Sequence, residues 1–168
     1  MKAVSLCLAI PLAFSSPLSI ATSEAAETKV SGSITYEVIY HNETKLDDGR
    51  VISRDHMRGM VDDHDDGSPI DGSTHDCFGA IVFAPDGKTF QEGHGYCDGV
   101  DKDGDVWWLS WSTDGPGESI WSITGGTGKF EGASGTGKTS FRMDEFSVAA
   151  GAQPHRLPND YEGVMTLR

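Results

Sequence analysis

Cys77-Phe78-Gly79-Ala80-Ile81-Val82-Phe83-Ala84-Pro85-Asp86-Gly87-Lys88-Thr89-Phe90-Gln91-Glu92-Gly93-His94-Gly95-Tyr96-Cys97 reads as one β-hairpin. Pro85 presets φ, Asp86 can bond its own backbone, and Gly87 tolerates positive φ, so this tripeptide is a turn signal. Strand-like runs flank it on both sides. The turn lies midway between the cysteines, and folding the hairpin sets Cys77 opposite Cys97. Cross-strand neighbours have Cβ atoms about 4.5–5.5 Å apart, which strand twist can bring to disulfide range.

Outward from this hairpin the chain reads as further short β runs punctuated by Gly, Asp and Pro. Strands are predicted near 29–40, 50–61, 74–84, 88–97, 105–113, 119–124, 134–143 and 160–168. In the first, Val30, Ile34, Tyr36, Val38 and Tyr40 share one face, against Ser31, Ser33, Thr35 and Glu37 on the other. That is the two-residue period of a half-buried strand. Connections fall at Asp47-Asp48-Gly49, at 62–72, at Pro85-Asp86-Gly87, at 101–104 and at Asp114-Gly115-Pro116-Gly117. No segment holds a helical apolar period for three turns. The best helix candidate, 143–152, is short and leads into Pro154 and Pro158. Antiparallel strands at this spacing mean a barrel or a sandwich, and 21 glycines suit the crowded bends of a barrel.

The N-terminus reads as an export signal. Met1-Lys2 is a minimal positive region, residues 3–14 are apolar, and Ser23-Glu24-Ala25 offers a small-x-small cleavage pattern. The apolar run falls short of the roughly 20 residues that span a bilayer. Residues 1–25 are therefore set apart as a signal peptide and 26–168 as one domain, secreted or periplasmic. Removing the signal takes Cys7 with it and leaves Cys77 and Cys97, a pair that an oxidising compartment turns into a disulfide. A formal charge of −13 argues against a nucleic-acid partner, which needs clustered Lys and Arg. Nothing in the pattern suggests membrane attachment.

One glycine-rich segment invites over-reading. Gly132-Ala133-Ser134-Gly135-Thr136-Gly137-Lys138-Thr139 matches the phosphate-loop pattern letter for letter, but that loop works only ahead of a helix. Here Ser140-Phe141-Arg142-Met143 alternates like a strand. Read more widely, Ile123-Thr124-Gly125-Gly126-Thr127-Gly128-Lys129-Phe130-Glu131-Gly132-Ala133-Ser134-Gly135 resembles the glycine-rich signature of allene oxide cyclases, of which dirigent proteins carry a looser form. The resemblance implies a single eight-stranded antiparallel β-barrel (calycin-like, allene oxide cyclase-like), assembled as a trimer or dimer. It also implies a lumen that takes a small apolar or aromatic molecule, with no cofactor. The cyclase's catalytic stretch has no counterpart here, so the fold transfers and the reaction does not.

Asp98-Gly99-Val100-Asp101-Lys102-Asp103-Gly104-Asp105 spaces carboxylates like a calcium loop but lacks the distal glutamate. His75, Cys77, His94 and Cys97 suggest zinc, yet His94 and Cys97 are three apart and point to opposite faces, so no metal is expected.

The candidate ligand-binding residues are Trp107, Trp111, Trp121 and Tyr36. Trp107 and Trp111 share a face, with Gly93, Gly95 and Cys97 expected opposite them across the hairpin, small enough to leave room for indoles. Candidate catalytic residues are Glu92, His94 and Tyr96 on the other face of their strand, with His56 and Arg54 from the strand at 50–61. If those faces look inward, an acid/base group beside a cation suits a cyclase, isomerase or lyase step. If they look outward, they are solvated surface. The rival reading is a non-catalytic carbohydrate-binding or structural β-domain with tryptophans on an open face.

Overall fold

The strand periods are realised in a computed structural model of the chain, which describes residues 25–87, 89–115, 118–142 and 156–168. All but the last residue of the expected signal at 1–25, and the helix candidate at 143–152, lie outside the described residues. Eight strands run in chain order: β1 (Ala26–Lys45), β2 (Val51–Asp63), β3 (Thr74–Phe83), β4 (Phe90–Val100), β5 (Val106–Thr113), β6 (Ser119–Gly126), β7 (Ser134–Phe141) and β8 (Arg156–Leu167). Each pairs antiparallel with the next, and β8 returns to β1 to close the barrel. Closure leaves no unpaired edge. A disulfide joins Cys77 to Cys97, which are direct partners in the β3–β4 register.

Alternation decides what faces the lumen. Val30, Ile34 and Tyr36 on β1, Met57 and Val61 on β2, Cys77 and Ile81 on β3, and Trp107 and Leu109 on β5 are all buried. The first strand departs from its expected face at one point. A register shift between Val38 and Tyr40 inserts an extra residue, so Tyr40 pairs with His56 on the outer side and is 56% exposed. A bulge of this kind reverses side-chain parity beyond it. His41, not Tyr40, then shares a face with Ser53 and Asp55.

Glycines make room for the inward indoles. Trp107 lies opposite Gly99 and Trp111 opposite Gly95 in the β4–β5 pair, while Trp121 lies opposite Gly137 in the β6–β7 pair. A Cβ built on Gly99 would collide with the Trp107 ring, one on Gly79 or Gly95 with Trp111, and one on Gly137 or Gly163 with Trp121. The indoles lie flat across bare backbone, and the barrel stays narrow enough to be filled by side chains. The 3-10 turn Gly128–Phe130 adds Phe130, and the β2–β3 loop adds Ile70, to the same core.

Candidate functional site: the barrel lumen

The inward faces leave a cavity lined from all eight strands, with Tyr36, His75, Trp107, Trp111, Trp121, Asn159 and Tyr161 set among apolar residues and β4 contributing Cys97. The centre of a water-sized sphere can reach about 60 Å³ of it. One water needs about 10–15 Å³ on that measure, so the space suits a flat ring rather than a bulky lipid.

Polar groups are few and joined. The Tyr36 hydroxyl lies 2.7 Å from His75 Nδ1 and 3.4 Å from Cys77 Sγ. The Asn159 side chain lies near enough to the Tyr36 hydroxyl to favour its ionised form. Thr139 Oγ1 donates to Asn159 Oδ1 at 2.5 Å. The His75 ring stacks on Trp107 with centroids 4.8 Å apart, and its Nε2 is buried with no protein partner. Burial pushes the imidazole down to about 3 from 6.5, with Asp76 opposing only weakly, so His75 is neutral at physiological pH. Burial also raises Tyr36 well above the ordinary phenol range, and Asn159 only partly offsets it. Tyr161, at the acidic side of the lumen, donates to Asp63 Oδ2 at 2.8 Å; burial and then that carboxylate raise it too.

The four residues expected to meet a ligand, Tyr36, Trp107, Trp111 and Trp121, all line this cavity. Trp108, the remaining tryptophan, is 39% exposed on the outer face.

The five residues expected to act on a ligand do not join them. Glu92, His94 and Tyr96 alternate with buried Gly93, Gly95 and Cys97 and lie outside, Tyr96 at 70% exposure. Because Cys77 and Cys97 face inward, strand parity sends positions 92, 94 and 96 outward. His56 is also on the outer face, 2.9 Å from Asp76 and stacked on Phe78 at 4.2 Å. Arg54 is exposed and donates to Thr44. Of the two placements open to these side chains, the structure realises the solvated one. The buried polar chemistry belongs instead to His75, whose only sequence signal is its place in the apparent zinc set.

The tempting motifs resolve in similar detail. The segment 132–139 runs from a turn into β7 with no helix behind it. In the acidic turn, Asp101 Oδ1 accepts from the backbone N–H groups of Asp103 and Asp105, and Lys129 Nζ sits 2.5 Å from Oδ2. Burial opposes ionisation of Asp101, but Lys129 and those two N–H groups hold it below the usual carboxylate range. An ammonium therefore stands where a loop cation would. His75, Cys77 and Cys97 place their ligand atoms within 4.8 Å of one another, but both sulfurs are spent in the disulfide. His41, Ser53 and Asp55 form a serine–histidine–aspartate cluster, yet Ser53 Oγ and Asp55 Oδ1 both approach Nδ1, at 3.3 and 2.7 Å. A nucleophilic triad needs them on opposite ring nitrogens. Among the described residues no helix is long and apolar enough to cross a membrane.

No protein-family model and no curated protein matches the chain. Among solved structures it is similar to the pterocarpan synthase dirigent protein GePTS1, with a TM-score of 0.48, 12% identity and 88% of each chain covered. It is also similar to the pterocarpan synthase dirigent protein PsPTS1, with a TM-score of 0.47, 10% identity and coverage of 86% of this chain and 96% of that one. A pyocyanin demethylase aligns at a TM-score of 0.21 and 16% identity, over 77% of this chain and 98% of that one.

Proposed function

We propose that this protein is an exported β-barrel that binds a small, flat, apolar or aromatic molecule in its lumen. The observation that carries the reading is the inward convergence of Trp107, Trp111 and Trp121 on a narrow cavity with a short polar chain at Tyr36, His75 and Asn159. Aromatic walls with a few fixed polar groups are what small-molecule sites are made of. The open-face alternative, a carbohydrate-binding module, needs tryptophans turned to solvent, and only Trp108 is.

If the lumen is catalytic, its chemistry is a cofactor-independent cyclase, isomerase or lyase step, in which the walls hold the substrate's shape and exclude water. The acid/base group for such a step is Tyr36 with His75 rather than the outer Glu92, His94 and Tyr96. Export rests on the N-terminal pattern and on a disulfide that needs an oxidising compartment. A homo-oligomer, dimer or trimer, would bury the exposed Phe78, Tyr96 and Ile120 on the outer wall.

Thermal-shift screening of residues 26–168 against phenolics, fatty-acid derivatives and oligosaccharides tests the binding reading. Single-ring phenolics should raise Tm in a concentration-dependent way, as ligand linkage requires. Stabilisation by oligosaccharides alone would move the function to the outer surface.

A further inference from the structure

The lumen contains one buried polar atom that its neighbours leave unused. His75 is 3% exposed, lines the cavity, and its Nε2 has no protein hydrogen-bond partner. An unpaired buried donor or acceptor is costly, and few such groups occur without a reason.

The surrounding bonds decide which proton Nε2 carries. The Thr139 hydroxyl has one proton and two acceptors in reach, Asn159 Oδ1 at 2.5 Å and the Asp160 carbonyl at 3.0 Å, and the nearer, Oδ1, takes it. With its oxygen taken, Asn159 offers its amide N–H on the side of Tyr36, in keeping with its lowering effect on the phenol. Tyr36 has one proton and two acceptors in reach, His75 Nδ1 at 2.7 Å and Cys77 Sγ at 3.4 Å. The nitrogen is nearer and the stronger acceptor, so Tyr36 donates to Nδ1. With Nδ1 accepting, a neutral imidazole must carry its proton on Nε2. The ring is neutral here because burial holds its pKa near 3. The chain Thr139–Asn159–Tyr36–His75 is thus directional, and it ends on an N–H pointing into an aromatic-walled cavity.

We propose that His75 Nε2–H is a ligand-recognition donor, and that the lumen's ligand is a flat aromatic molecule bearing a hydrogen-bond-accepting oxygen, such as an aryl ketone, bound beside Trp107. This rests on the lumenal binding reading and narrows its ligand class. A donor fixed by a three-residue chain in a dry site favours an acceptor group over an isosteric alkene by roughly tenfold, the cost of leaving the N–H unmatched. Tyr36 and Asn159 are positioning residues that set the tautomer.

The test uses acetophenone and α-methylstyrene, which differ only in C=O against C=CH2. Both are titrated by tryptophan fluorescence into residues 26–168 and into the His75→Leu and His75→Gln variants. Wild type should bind acetophenone about tenfold tighter, His75→Leu should bind the two equally, and His75→Gln, which keeps an N–H, should restore part of the preference. Long-range 1H–15N spectra of wild type need no variant: they should show the Nε2–H tautomer, with a proton shift on adding acetophenone that α-methylstyrene does not cause. Equal binding of the two probes by wild type, or an Nδ1–H tautomer, overturns the inference alone. Failure of both probes to bind overturns the lumenal reading and this inference with it.

Discussion

Gly99 lies directly opposite Trp107 in the β4–β5 pair, and the indole occupies the volume that any side chain at position 99 would need. Trp107 is in turn the surface on which His75 stacks, and its Nε1 donates to Ser73 Oγ at 3.4 Å. The backbone of β4 therefore sets the depth at which the lumen's polar group sits. Gly99→Ala should force Trp107 inward and destabilise the fold by about 1–3 kcal/mol, the usual cost of overpacking. Ser112→Ala, on the exposed face of β5, should stay within about 0.5 kcal/mol. Urea unfolding of the three proteins measures both.

The disulfide bridges a sequence separation of 20 residues. Closing such a loop stabilises by about 3 kcal/mol in the chain-entropy account. Cys77→Ser with Cys97→Ser should lower Tm accordingly, and thiol titration of unfolded wild-type 26–168 without reductant should find no free thiol. Two titrating thiols would remove the staple and free both sulfurs beside His75.

Stability should also depend on pH through His75. Its pKa falls from 6.5 to about 3 on folding, so between those values the unfolded chain holds a proton that the folded chain does not. The contribution is present in full above 6.5, is lost as pH falls, and levels off below about 3. The slope attributable to this residue is at most about 1.4 kcal/mol per pH unit. Urea unfolding at pH 7 and pH 5 should therefore show a smaller acid loss in His75→Gln than in wild type. Equal losses would mean that the imidazole is not buried neutral.

The acidic turn predicts an indifference to calcium. Lys129 already neutralises Asp101, so EDTA should leave Tm unchanged and added calcium should not raise it. Lys129→Met should weaken the fold, most clearly above the pH at which Asp101 ionises, because the depressed carboxyl loses its partner. A calcium-restored fall in Tm would assign the turn to the ion.

The strand runs were legible because period and punctuation agreed: all eight expected strands are present, and the Pro85-Asp86-Gly87 turn pairs Cys77 with Cys97. The small residues opposite the indoles were readable only in part: Gly95 does stand opposite Trp111, but Cys97 pairs with Leu109 and Gly93 with Thr113, and it is Gly99 that faces Trp107. What failed to come through was which face of β3 and β4 looks inward. Periodicity separates faces but does not label them when one is glycine-rich and the other carries Glu92, His94 and Tyr96. The label was in the glycines: residues 93, 95 and 99 share the face of Cys97, and that face opposes the indoles. Carried across the disulfide, the same parity places His75 inside with Cys77. The bulge between Val38 and Tyr40 had no such signal, because Val38, Ile39 and Tyr40 are all good strand residues and the shift is set by the neighbouring register.

A ligand that enters the lumen must meet its indoles. The direct measurement is 19F NMR of 5-fluorotryptophan-labelled 26–168, assigned by single Trp→Phe variants, during titration with acetophenone. Saturable shifts are expected at Trp107, Trp111 and Trp121, which line the cavity, with Trp108 on the outer face unmoved. Shifts at Trp108 with the three inner resonances unchanged would contradict binding in the lumen.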